Sequence, residues 1–228
     1  MIDVFLDIET IPEQPEKEAK ARIAETIKAP AKMTKKETVD AWHDGVGLNG
    51  KYAGEKEKLI DEKYRSGSLD GARGEICVIG WGIEDGKIEA VSQVGIGEAK
   101  MIKFFFDTLL IQLDGKDPRF IGHWVAGFDL KFIWQRAVVH NITPPFRLPF
   151  KGRHFTDYFC TQTEWCGYKD RISADNLAKA LGIEGKTDMD GSKVWDAWRD
   201  KEAQKVFDYC LDDVRMVREI YNRMQFNG

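Results

Sequence analysis

Val4-Phe5-Leu6-Asp7-Ile8-Glu9 alternates with period two and reads as a β-strand, which Thr10-Ile11-Pro12 ends. Side chains two apart on a strand share a face, so Asp7 and Glu9 project from one side, opposite Val4, Leu6 and Ile8. Carboxylates this close repel each other, and inside a domain their pKa values rise unless a metal or a base compensates. Either the pair meets such a partner or the strand is an exposed edge, and the segment alone leaves the two balanced.

Working outward, Glu75 to Ile83 and Lys87 to Val94 are β-rich runs separated by Glu84-Asp85-Gly86, whose Asp-Gly pair signals a hairpin. Ala99 to Leu113 carries apolar residues at helical spacing, and Phe120-Ile121-Gly122-His123-Trp124 reads as another strand. Gly127 opens a helix to about Val139, which Pro144-Pro145 cannot continue. Arg153 to Phe159 holds a candidate fifth strand. Ser173 caps a short helix ending at Gly182, and Glu202 to Met224 forms one long helix. Strands first, then alternating helix and strand, predict an α/β fold with a mixed sheet and helices on its faces.

Residues 13–74 interrupt this plan. Glu16 to Lys28, a capping box at Thr34-Lys35-Lys36-Glu37, and Glu55 to Arg65 predict three helices, with breaks at Gly45-Val46-Gly47 and Gly67. We read a helical insertion inside one domain that spans residues 1–228. It leaves from the carboxylate end of the first strand, where a lid, a strand guide or a dimer arm would each fit.

Hydrophobic residues at 43% and charged residues at 32% fit a globular chain, and no apolar run is long enough to cross a bilayer. Met1 leads straight into strand without a basic leader, and Cys77, Cys160, Cys166 and Cys210 lack zinc-site spacing. Reduced, buried thiols point to the cytoplasm. The net charge of −4 argues against a broad basic surface for nucleic acid. It leaves a nuclease open, because bound divalent cations reverse the field where a phosphate sits.

Two more acids stand out. Asp129 falls in the first turn of its helix, where the helix dipole favours a carboxylate and where simple capping is the ordinary explanation. In the last helix, Phe207, Cys210, Val214, Val217 and Tyr221 define an apolar stripe. At about 100° per residue, Asp213 lies roughly 50° from the stripe centre and Asp212 about 150° away, so Asp213 faces inward. Tyr209 lies one turn before it on nearly the same face. A buried Asp needs a partner, and four acids sharing metal ions would provide one.

These residues resemble the three motifs of the DEDD exonucleases. Asp7-Ile8-Glu9 looks like the first, Phe128-Asp129 the second, and Tyr209-x-x-x-Asp213 the third, in the Tyr-bearing DEDDy form. The nearest likeness is to stand-alone phage and bacterial exonucleases related to the proofreading domain of family-B DNA polymerases. Leu69-Asp70-Gly71, Gly122-His123, Leu181-Gly182-Ile183, Gly191-Ser192 and Tyr209-Cys210 extend it. One departure is Trp124, where relatives carry Asn. It either stacks on a base or is core at a strand end.

The resemblance implies an RNase H-like five-stranded sheet in the order 3-2-1-4-5. It implies two divalent cations, Mg2+ or Mn2+, held by Asp7, Glu9, Asp129 and Asp213 about 4 Å apart. Tyr209 would orient the attacking water rather than deprotonate it. Thr10, Ile11, Trp124, Phe128, Lys186 and Ser192 are the substrate-contact candidates. The substrate is a nucleic acid 3′ end, DNA favoured and single-stranded, with a replication or recombination protein as a partner class and no reading of oligomeric state. An RNA-trimming exoribonuclease is one rival, because nothing reads a 2′-hydroxyl. A catalytically silent nucleic-acid- or partner-binding module is another, disfavoured by the presence of all four acids and Tyr209.

Overall fold

A computed structural model describes residues 1–44, 52–150, 157–184 and 189–226. The chain divides into two compact units, Met1–Thr10 with Ile76–Gly228, and Ile11–Glu75.

The larger unit is built on β1 (Ile2–Pro12), β2 (Gly74–Ile83), β3 (Ile88–Ser92), β4 (Pro118–Gly122) and β5 (Tyr158–Cys160). They form one sheet in the order β3-β2-β1-β4-β5. β2 and β3 are antiparallel from Val78↔Ser92 to Gly82↔Ile88, joined by the expected turn with Glu84 at φ 46°. β4 runs parallel to β1, with Ile2 opposite Pro118 and Phe5 opposite Ile121, and β5 runs parallel to β4. β1 is therefore central, and the edge-strand alternative for Asp7 and Glu9 falls.

Alternation along β1 sends its residues into two cores. Val4, Leu6 and Ile8 join a core with Met101, Ile102, Phe105 and Leu109 from one helix and Leu130, Phe132 and Ile133 from another. Those helices lie in chain order between β3 and β5, at Glu98–Leu113 and Asp129–Val139. Phe5 faces the other way and packs with Ile121, Val214, Val217 and Tyr221. Buried Glu98 ties the first core to the sheet. Its carboxylate accepts from the Ile76 amide at 2.7 Å and from the Arg136 guanidinium at 2.9 and 2.6 Å, and His140 Nε2 lies 2.6 Å away.

Of the last helix, Ala203–Met224, one edge covers Phe5 while Met216 and Ile220 pack with Leu177 and Ala178 of the short helix Ala174–Ala180. The apolar face is thus wider than the predicted stripe, and Val206 is fully buried where Phe207 is only half-buried. The long helix crosses β2 where the strand is bare. A Cβ on Gly80 would come within 2.9 Å of Cys210 Sγ.

Several boundaries differ from the sequence reading. β1 runs on through Pro12, and the Glu13 amide still bonds the Arg73 carbonyl at 2.8 Å. β4 stops at Gly122, because Trp124 turns the chain and its carbonyl takes the Gly127 and Phe128 amides, which delays the next helix to Asp129. Thr161–Cys166 and Val194–Arg199 are helices of six residues, too short to show a period. The part of the predicted fifth strand before Asp157 lies outside the described residues, as does Gly45-Val46-Gly47.

The smaller unit holds the three expected helices, Glu16–Thr26, Lys36–Asp44 and Ala53–Arg65. The second starts one residue later than a Thr34 cap would give. Asp61 links two of the helices by accepting from Lys20 at 2.6 Å and Arg65 at 2.7 Å, and Trp42 and Tyr64 are buried. No helix among the described residues is long and apolar enough to cross a membrane.

Candidate active site

The first two acids lie on the face of β1 that carries Phe5, the face covered by the last helix. Glu9 is buried and Asp7 half-buried. A carboxylate oxygen of each and Cys210 Sγ all lie within 4.8 Å of one another. The Cys210 thiol lies 3.6 Å from the Asp7 carbonyl oxygen and 3.7 Å from Asp7 Oδ2, and Cys77 donates to the Glu9 carbonyl at 3.3 Å. Two thiols from different elements thus hold the strand at the two acids.

Asp129 opens its helix and is 3% exposed. Its Oδ1 accepts from the Ile8 amide at 3.2 Å, which sets it beside the backbone between Asp7 and Glu9. Burial, and then the charge of Asp213, outweigh that hydrogen bond and push the carboxyl up to about 7. Asp213 is itself buried, whereas Asp212 is half-exposed beside Arg215, as the helical wheel predicts.

Tyr209 senses three of the four acids. Burial foremost, then the charges of Asp213, Glu9 and Asp7, drive its phenol far above the ordinary tyrosine value, so it stays a hydrogen-bond donor. The same acids and burial raise the Cys210 thiol well above its usual value. The four predicted acids and Tyr209, from one strand and two helices, therefore share one electrostatic neighbourhood.

Two members of that neighbourhood escaped the sequence reading. Asp175, in the first turn of the Ala174–Ala180 helix, adds to the field on Tyr209, and Cys210, read as an apolar position and as part of the family likeness but not as a site residue, lies against Asp7. Neither was marked for the site, because each reaches it through helix crossing.

The substrate-contact candidates divide. Trp124 is 39% exposed with φ 63°, and its ring stacks on Phe128 at 6.2 Å and 8°. Thr10 is half-buried and Ile11 fully buried, a packing residue. Ser192 is exposed and its amide bonds Asp190 Oδ1 at 3.0 Å in a helix-start turn. Lys186 lies outside the described residues.

A protein family described as a predicted 3′-5′ exonuclease related to the exonuclease domain of PolB matches residues 75–227. The chain belongs to this family. The match takes in Asp129, Tyr209 and Asp213, while Asp7 and Glu9 precede it. Among solved structures, the family B DNA polymerase from the hyperthermophilic archaeon Pyrobaculum calidifontis is similar to this exonuclease-family chain, with a TM-score of 0.58 at 14% identity. The likeness covers 99% of this chain but 24% of that polymerase chain, and it bears on fold alone. The order 3-2-1-4-5 with flanking helices is accordingly the RNase H-like arrangement of the PolB exonuclease domain. None of the curated proteins compared matches the chain.

Proposed function

We propose that this chain hydrolyses the terminal phosphodiester bond at the 3′ end of single-stranded DNA, releasing nucleoside 5′-monophosphates. The observation that carries the reading is that Asp7, Glu9 and Asp213 act on one phenol while Asp213 also acts on Asp129. Their charges reach Tyr209 or Asp129, and Asp129 hangs from the amide of Ile8.

The donor set fits hard divalent cations. Carboxylate oxygens, which four of the side chains gathered here supply, suit magnesium or manganese. Asp7, Glu9, Asp129 and Asp213 would hold the two ions. When bound, such ions supply Lewis acidity and charge neutralisation at the scissile phosphate. The chain's own share is positional. The acids fix the site, the thiols of Cys77 and Cys210 brace the strand that bears two of them, and protonated Tyr209 donates a hydrogen bond to the attacking water.

Residues 13–74 form an insertion within one exonuclease domain on this reading. The cysteines are thiols here, which fits a reducing compartment, and we place the protein in the cytoplasm.

The test is degradation of 5′-labelled single-stranded DNA, duplex DNA and RNA, side by side, with magnesium or with chelator. A magnesium-dependent ladder of single-strand DNA products shortened from the 3′ end is expected. Faster shortening of the RNA would reassign the substrate, and no shortening of any strand would defeat the reading.

A further inference from the structure

The turn between β4 and Asp129 holds its largest side chain outward. His123, just after β4, has its ring nitrogens 2.9 Å from Thr161 Oγ1 and 2.8 Å from the Ile172 carbonyl. This pins the segment before the Ala174–Ala180 helix against the end of β4. Next to each pinned residue stands one of a facing pair, Trp124 and Arg171. The guanidinium carbon of Arg171 lies over the indole, 5.2 Å from its centroid.

The indole itself is held rigidly. Trp124 has φ 63°, a left-handed conformation that Asn tolerates and a bulky residue adopts only where its surroundings impose it. Gly127 makes room, since a Cβ there would sit 2.2 Å from Trp124 Nε1. Phe128, immediately before Asp129, lies parallel to the ring. A tryptophan serving as core would be buried, yet this one is 39% exposed and is built into an unfavourable backbone state beside an acid of the site.

We infer that Trp124 and Arg171 form a nucleotide platform, on which a base of the single strand takes the place of the guanidinium over the indole while the guanidinium turns to the adjoining phosphate. A flat aromatic face and an exposed cation at one nucleotide's spacing are what sequence-tolerant binding of single strands uses. A base paired in a duplex is already stacked and cannot enter, so the platform selects frayed or single-stranded ends. The inference rests on the nuclease reading for where the strand runs, but it concerns binding and is measured without cleavage.

The experiment is fluorescence anisotropy with the full chain in chelator, using 5′-labelled single strands that are intact or carry one abasic residue at each of the last three positions. The parent is expected to lose affinity at one abasic position by about tenfold. W124A should lose about as much on the intact strand and nothing further on that abasic strand, and W124F should recover part of the loss. R171A should weaken every strand alike and reduce the slope of log affinity against log salt by roughly one. The proposal is overturned if the parent binds no strand, if it ignores all three abasic positions, or if W124A and the abasic change weaken binding independently. Failure of the nuclease reading is separate, because it shows as absent nucleotide release by the parent in magnesium.

Discussion

The Ile8 amide donates to Asp129 Oδ1 across 3.2 Å, so the acid of the second motif is suspended from the backbone that carries the first. Burial foremost, and Asp213 after it, raise that carboxyl from 3.8 to about 7. A folded-state value above the unfolded one gives stability that is complete below the unfolded pKa and is lost as pH climbs through the folded one. Metal-free protein should therefore lose melting temperature between about pH 4 and pH 7, and D129N should lose less over that interval. Magnesium should restore the parent most at the alkaline end and D129N little. Parallel melting curves for the two proteins across pH would contradict the shift.

Asp7→Ala or Asp213→Ala is expected to abolish nucleotide release while the fold persists, because each removes a buried or half-buried charge near others of the same sign. Without metal, these variants should melt no lower than the parent. Circular dichroism beside a product ladder checks both halves, and full magnesium-dependent activity in either variant would remove that acid from the site.

Burial and the field of four acids keep the proton on Tyr209, so its contribution is a donated hydrogen bond. General acid–base groups are worth roughly 10²–10⁴-fold, and Y209F should cost about tenfold, below that range. The loss should be flat across the accessible pH range, as a permanently protonated donor requires. Unchanged rates would strip the phenol of a role.

Gly127→Ala places a methyl where the Trp124 indole now lies. Overpacking of this kind costs roughly 1–3 kcal/mol. If the ring is displaced, G127A should copy the DNA-binding defect of W124A, read by the same anisotropy. Normal binding by G127A would show that the ring's position is immaterial.

Ser173 accepts from the Asn176 amide at 3.2 Å and caps the helix that brings Asp175 near Tyr209. S173A should lower stability by about 1 kcal/mol, measured as a lower denaturant midpoint with an unchanged slope.

The parts of the fold that were legible are those governed by a local period. Alternation gave β1 and its two faces, Asp85-Gly86 gave the hairpin, and the helical wheel separated Asp213 from Asp212. Sheet order came only with the family resemblance, since strand neighbours far apart in sequence leave no periodic trace. Trp124 was hidden for another reason. Its left-handed backbone is set by the Gly127 clearance and by the His123 tether to Ile172, neither visible in a strand-like run of apolar residues. Arg171, Asp175 and the placing of Cys210 depend on where helices cross, which in turn depends on a missing side chain at Gly80.

Glu98 touches no part of the proposed chemistry, yet it is a buried acid joined to Ile76, Arg136 and His140. Removing one partner of such a pair strands the other charge, a loss of roughly 3–5 kcal/mol. A blind screen for inactive clones would therefore return this glutamate together with the four acids of the proposed site. The two kinds of casualty part company only on heating, where the clone altered at Glu98 should come apart early and the others should not.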